Sequence, residues 1–148
     1  MDEPLNGRIK VREFLFPEDY RAARSLWETA GSGIHLSRSD ELDEIRKKHD
    51  HDPDLFLVAE TAGRLIGTVI GGFDGRRGMV YHLAVDKDFR QQGVGSLLMA
   101  ELENRLRRKG CIRAFLMVVR ENTSAMEFYE ERDWKRMTEV VPYGKDLS

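Results

Sequence analysis

Residues 83–96 constrain this chain more than any other stretch. Leu83-Ala84-Val85 ends an apolar run, a polar loop follows, and Gly93 and Gly95 open a segment with Leu98, Leu102 and Leu106 on one stripe. The spacing predicts a strand, a loop and an amphipathic helix. A helix begins with free N–H groups and the positive end of its dipole, and glycine lets an anion approach that backbone closely. The first acid inside this helix is Glu101, so its first turn holds no carboxylate to repel a bound anion. The segment reads as a pyrophosphate cradle; the alternative is that the glycines only shape a tight turn. No Gly-Lys-Ser/Thr follows, which argues against a nucleoside triphosphatase. The third glycine of the dinucleotide fingerprint is also missing.

The remaining pattern is that of one domain of 148 residues, with no repeat and no Pro/Gly/Ser-rich linker. Residues 8–14 alternate with Ile9, Val11 and Phe14 inward, which predicts a first strand. Pro17 opens a helix carrying Tyr20, Ala23, Leu26, Trp27 and Ala30, and Gly31 stops it. A second helix is expected over 40–49, capped by Ser39 or Asp40. Residues 55–59 and 65–70 read as strands joined by an Ala62-Gly63 hairpin, and a turn at 74–78 leads to a strand over 79–85. The helix after Gly95 is capped by Gly110. A strand is expected over 112–119, a helix over 122–133, and one or two strands over 134–141. The fold class is α/β in the wide sense, α+β with a mixed sheet and helices on its faces.

Composition narrows the function. With 24 Lys+Arg against 26 Asp+Glu, the chain lacks the basic footprint of a dedicated nucleic-acid binder. Its single cysteine, Cys111, argues against a disulfide scaffold and a zinc ribbon and reads as an inert core thiol. No signal peptide or membrane span is visible, so a cytoplasmic location is expected. His49-Asp50-His51-Asp52 reads as a solvated acidic loop rather than a metal site, and no metal is expected. Asp40, Glu41, Asp43 and Glu44 gather acids on one helix, and Asp43–Lys47 and Glu44–Lys48 at i,i+4 make it read as a self-neutralising face rather than an attractor of cations. Arg76 and Arg77 fall at a hairpin tip.

Arg90-Gln91-Gln92-Gly93-Val94-Gly95 resembles the acetyl-CoA signature of the GNAT superfamily of N-acetyltransferases, Arg/Gln-x-x-Gly-x-Gly/Ala. Leu83-Ala84-Val85 looks like the end of that family's pantetheine-binding strand. Asn122-Thr123-Ser124-Ala125-Met126-Glu127-Phe128-Tyr129 resembles its second motif, and residues 73–78 are similar to the bacterial YpeA-type branch. One departure is Asp133, where a glycine usually precedes the final aromatic, here Trp134. A left-handed backbone is expected there, at some cost to an Asp.

The resemblance implies a mostly antiparallel central sheet and acetyl-CoA as cosubstrate. It implies a pyrophosphate held by backbone N–H groups of Gln92, Gly93, Val94, Gly95 and Ser96, flanked by Gln91 and helped by the charge of Arg90. It places the pantetheine arm beside Leu83, Ala84 and Val85, with Asn122 and Ser124 near the cofactor arm. A primary amine, on a small molecule or a protein, would then attack the thioester directly, with no acyl-enzyme. Tyr129 is the expected general acid for the leaving thiolate; by spacing alone it reads as a core aromatic. His82, on the same strand, is the expected base, with a satisfied core histidine as the alternative, Tyr81 as the neighbour of opposite parity, and Glu60 a weaker candidate. A homodimer would suit the family. Two other classes stay open: a non-catalytic acyl-CoA-binding regulatory module, and an interaction domain without CoA binding.

Overall fold

The computed structural model describes residues 8–30 and 33–148. By contacts the chain divides into two compact units, residues 1–117 and 118–148.

The first unit is a five-stranded sheet in the order β1-β2-β3-β4-β5, with β1 Lys10–Glu13, β2 Phe56–Thr61, β3 Arg64–Phe73, β4 Gly78–Val85 and β5 Ala114–Leu116. The first three pairings are antiparallel and β4–β5 is parallel. A parallel neighbour needs a long crossover, which the helix α3, Val94–Arg108, supplies. β2 is the most apolar strand because both of its faces are covered: Phe56, Leu57, Val58 and Ala59 are all fully buried.

Helices cover both faces. On one, α1 (Tyr20–Glu28) and α2 (Leu42–His51) place Ala23, Leu26, Trp27 and Ile45 in one cluster with Phe14, Phe56, Val58, Ile70 and Ala84. The Phe14 and Phe56 rings stack at 4.0 Å between centroids, worth about 1 kcal/mol beyond the area they bury. On the other face, α3 lies against two glycines of β3. A Cβ at Gly67 would sit 2.9 Å from both Val94 Cγ1 and Leu98 Cδ1, and one at Gly71 would overlap Leu102. Side chains are absent there because Val94, Leu98 and Leu102 of α3 fill the space that a Cβ would occupy.

The second unit holds α4, Thr123–Glu130, which ends at Asp133 with φ 69°. Trp134 N–H donates to the Tyr129 carbonyl at 3.1 Å and Asp133 N–H to the Glu130 carbonyl at 3.2 Å, a Schellman closure around a left-handed residue, as expected for this position.

Several expectations are corrected. No strand forms over 134–141, where Val140 and Val141 are largely exposed; β-prone residues alone do not supply an edge to pair with, and Pro142 offers no donor. β5 is three residues long rather than eight, because β4 leaves the ladder after Val80. The segment before α2 is a 3₁₀ turn, Arg38–Asp40, capped by Ser37, and α2 itself starts at Leu42. The pairs on α2 are Arg46 with Asp43 and Lys47 with Glu44, three residues apart rather than four. His49 and His51 belong to that helix rather than to a loop, and His49 Nε2 lies 3.1 Å from the Phe14 carbonyl. The expected helix stop at Gly31 lies outside the described residues.

Candidate active site

β4 carries a bulge. Thr68 pairs with Ala84 and Ile70 with Tyr81, so between those pairs one residue of β3, Val69, faces two of β4, His82 and Leu83. His82 sits in the bulge with φ 49°, a left-handed conformation rare for a residue with a Cβ. Strict alternation therefore fails, and the parity that separated Tyr81 from His82 is lost. Tyr81 pairs with Ile70 and the His82 ring lies 5.1 Å from that of Trp27, so both face the α1 side of the sheet.

Two hydrogen bonds hold the strained residue, one to its carbonyl and one at its ring. Thr68 Oγ1 donates to the His82 carbonyl at 3.2 Å and accepts from Trp27 Nε1 at 3.0 Å. His82 Nε2 meets Asp40 Oδ1 at 2.6 Å. Asp40 is buried, and its other oxygen accepts from the Ser37 N–H at 3.0 Å. Asp40 thus belongs to no acidic surface face, and sequence spacing alone shows nothing of its partner 42 residues away. Thr68 and Trp27 were missed as supports for the same reason. Tyr81 is 42% exposed, and partial burial moves its phenol pKa upward. Glu60 instead pairs with Arg12 at 3.2 Å, on the far side of β2.

The bulge also ends the β4–β5 ladder. β5 pairs with β4 only at Gly78, Met79 and Val80, so Leu83, Ala84 and Val85 face no strand on that side among the described residues. Such an edge displays backbone donors and acceptors in register for an amide-bearing chain. The strand then leads through a short loop to Gly93 and the start of α3. Gln91 and Gly93 both have positive φ, 61° and 84°, and Gly93 caps α3 without a side-chain bond. Leu97 N–H closes on the Gly93 carbonyl at 3.0 Å, which leaves the N–H groups of Val94 and Gly95 at the open start of the helix. No acidic residue stands in the first turn. Arg90 Nε donates to the Val85 carbonyl at 3.3 Å and Gln92 Nε2 to the Asp88 carbonyl at 3.3 Å, so both side chains brace the loop.

In the second unit, Asn122 caps α4: its Oδ1 accepts from the Ala125 N–H at 3.2 Å and from the Ser124 hydroxyl at 3.1 Å. Tyr129 packs edge-on against Phe128 and Trp134 at 5.2 and 6.2 Å, and burial pushes its phenol pKa up to about 12. Cys111 is a free, buried thiol whose Sγ donates to the Arg113 carbonyl. Among the described residues no group of three or more His, Cys, Asp or Glu side chains is placed to hold a metal ion, and no helix is long and apolar enough to cross a membrane.

The model of the acetyltransferase (GNAT) family matches residues 18–134. The chain belongs to that family. It is accordingly an acetyltransferase, an enzyme of the N-acyltransferase class that uses acetyl-CoA. Among relatives of this GNAT chain, Acetyltransferase SG1711 of Sodalis glossinidius and Acetyltransferase ECA0875 of Pectobacterium atrosepticum are each 38% identical over 139 residues, 94% of this chain and 96% of theirs. The structure of Ard1 from Thermoplasma volcanium superposes with a TM-score of 0.75 at 26% identity, covering 84% of this chain and 81% of that one. That of AAC(6')-Iy with the bisubstrate analog CoA-S-monomethyl-acetylneamine gives 0.74 at 19% identity over 94% and 99%, a likeness of fold. The mixed, mostly antiparallel sheet with helices on both faces is the GNAT fold.

Proposed function

We propose that this acetyltransferase moves the acetyl group of acetyl-CoA directly onto a primary amine of a small molecule or protein, in a ternary complex. The observation that carries the reading is the continuity from the unpaired edge of β4 at Leu83 to Val85 into the acid-free N-terminus of α3 behind Gly93. A pantetheine arm would add to that edge as a strand, and its pyrophosphate would accept from the N–H groups of Val94 and Gly95. Arg90 and Gln92 hold the loop in place.

In the reaction, His82 takes a proton from the amine, the nitrogen lone pair adds to the thioester carbon, and the developing oxyanion is met by a backbone N–H of β4. The C–S bond then breaks and the sulfur receives the Tyr129 proton. Asn122 and Ser124 support the cofactor arm through the cap of α4, with Asn122 keeping its amide N–H₂ for that contact. Tyr81 is the exposed neighbour available to the acceptor. The curated relatives carry the general name acetyltransferase, and the similarity of residues 73–78 to the YpeA-type branch supports placement there. The family match runs across residue 117, which supports one functional domain, and a lone reduced cysteine suits the cytoplasm.

Calorimetric titration with acetyl-CoA and CoA tests the reading, repeated on Gly95→Glu. The added carboxylate suits the helix dipole but repels a pyrophosphate, so the variant should fold and lose binding. Release of free thiol on addition of primary amines then establishes transfer. Tight binding with no thiol release on any amine would mark a regulatory acyl-CoA-binding module instead, and no binding to the folded wild type would overturn the cradle.

A further inference from the structure

His82 has two ring nitrogens, and one of them is committed. Nε2 lies 2.6 Å from Asp40 Oδ1, while Asp40 Oδ2 accepts from the Ser37 N–H at 3.0 Å. The rest of Asp40 is engaged too: its N–H donates to the Ser37 carbonyl at 3.0 Å, and its carbonyl accepts from the Tyr20 hydroxyl at 2.8 Å and from Arg24 at 3.2 Å. The residue is 5% exposed, so its carboxylate has little freedom to turn away. An ionised carboxylate only accepts hydrogen bonds, so the hydrogen of this pair resides on Nε2. The neutral imidazole then carries its lone pair on Nδ1.

We propose that Asp40 is a positioning residue for acetyl transfer: it holds His82 in the Nε2–H tautomer, so that Nδ1 takes the proton from the attacking amine. The inference rests on the reading of His82 as the base. The proton moves from the substrate nitrogen to Nδ1, and the resulting imidazolium is balanced by the carboxylate already bonded at Nε2. Three contacts suit the ring to this work. Asp40 fixes one nitrogen, Trp27 packs against the ring, and Thr68 fixes the backbone by its bond to the His82 carbonyl. The side chain keeps 18% of its surface exposed, enough for an amine or a water to reach it.

The charged and titratable groups around the pair come from each packed element. α1 supplies Tyr20 and Arg24 at the Asp40 carbonyl, and Arg24 also lies 4.0 Å from Glu41. β4 supplies Tyr81, whose phenol pKa partial burial moves upward. Asp40 is the one anion in bonding distance of the ring among the described residues. The capping box joins Ser37 and Asp40 in both directions, which fixes the carboxylate that meets His82 to the 3₁₀ turn Arg38–Asp40.

Imidazole 15N spectra of the histidine-labelled protein, assigned with His82→Gln, test the proposal. The neutral His82 ring is expected to show a protonated Nε2 and a bare Nδ1. Asp40→Asn should reverse this, because its amide N–H₂ would donate to Nε2. A wild-type ring protonated at Nδ1, or a tautomer unchanged in Asp40→Asn, overturns the proposal, and the wild-type spectrum decides alone should the variant not fold. Thiol release from acetyl-CoA with glycinamide as probe amine supplies the second readout. Asp40→Asn should lower kcat/KM by about 10²–10⁴-fold with acetyl-CoA affinity unchanged, and Asp40→Glu should restore part of it together with the wild-type acidic limb of the pH profile. His82→Ala at the wild-type rate would remove the base reading itself. A slow His82→Ala beside an Asp40→Asn at the wild-type rate would overturn the positioning role alone.

Discussion

Trp27 Nε1 donates to Thr68 Oγ1 across 3.0 Å of fully buried interior, and the same hydroxyl donates to the His82 carbonyl at 3.2 Å. One hydroxyl therefore ties the α1 face of the core to the left-handed residue of the β4 bulge. Replacing it by a methyl keeps the shape and orphans both partners. Thr68→Val should destabilise the protein by about 2 kcal/mol, since an unmet buried donor costs about 1–3 kcal/mol, and should slow acetyl transfer as the bulge relaxes. Thr68→Ser should lose less than half as much. Urea unfolding of the two variants, with rates measured alongside, checks the pair, and equal stabilities for Val and Ser would contradict it.

Gly67 links the packing of the sheet to the cradle. Its missing side chain is what lets Val94, the first residue of α3, reach β3, and a Cβ there would lie 3.3 Å from the Ala84 carbonyl as well. The backbone on that side cannot yield, so Gly67→Ala should push the start of α3 outward. The expected costs are about 1–3 kcal/mol of stability and roughly tenfold in CoA affinity, measured by calorimetry on the folded variant. Full affinity in a destabilised variant would show that the helix start is insensitive to this contact.

The parts of this site that sequence reveals are those written locally. Gly93 and Gly95 before a Leu98–Leu102–Leu106 stripe mark a strand-to-helix turn because each signal lies within one turn of the next. The bulge is different. No glycine marks His82, its positive φ is held by Thr68 and Asp40 from elsewhere in the chain, and alternation across Tyr81 and His82 therefore misleads. The same limit shortens β5: an apolar run over 112–119 shows that a strand is affordable, whereas its length depends on where β4 turns away. Residues 134–141 carry β-prone Trp134, Val140 and Val141, yet pairing requires a neighbour that composition does not specify.

Asp133 stores strain that a glycine would release. Its φ of 69° closes the Schellman turn after α4, and left-handed backbone costs an L-residue about 1 kcal/mol or more. Asp133→Gly should raise the melting temperature by about 3 °C, whereas Asp133→Ala should lower it. Differential scanning calorimetry of the two variants checks the order, and a fall with glycine would show that the Asp side chain contributes more than its backbone costs.

Asp19 gives the fold a defined acid sensitivity. Burial pushes its carboxyl pKa up, but bonds from Arg12 at 2.7 and 3.1 Å and from the Leu15 N–H at 2.8 Å outweigh this and hold it below the usual range. A carboxyl with a lower pKa in the folded state contributes stability above its unfolded value of about 3.9, and loses it as the pH falls through the folded value. Asp19→Asn should cost about 2 kcal/mol at neutral pH, and the gap should close on acidification below about pH 4. Denaturant titrations across that interval test the sign. A gap that stays constant into strong acid would mean that shape, not charge, is what Asn fails to replace.

In the proposed reaction Tyr129 protonates the leaving sulfur, and its pKa sets what the pH profile should show. Burial pushes the phenol up to about 12, so it remains protonated throughout the range in which a neutral amine is plentiful. The same desolvation disfavours a thiolate, which makes a sulfur leaving inside the protein a stronger proton acceptor than a free thiolate of pKa about 8.5. Tyr129→Phe keeps the edge-on ring packing and removes only the proton. It should lower kcat by about 10²-fold with CoA affinity unchanged, and add or remove no limb of the pH profile below about pH 10. Steady-state rates at saturating acetyl-CoA, alongside calorimetric affinities, separate the roles. A variant with a wild-type kcat would return Tyr129 to the core as an ordinary aromatic and leave the leaving thiolate to be protonated by solvent.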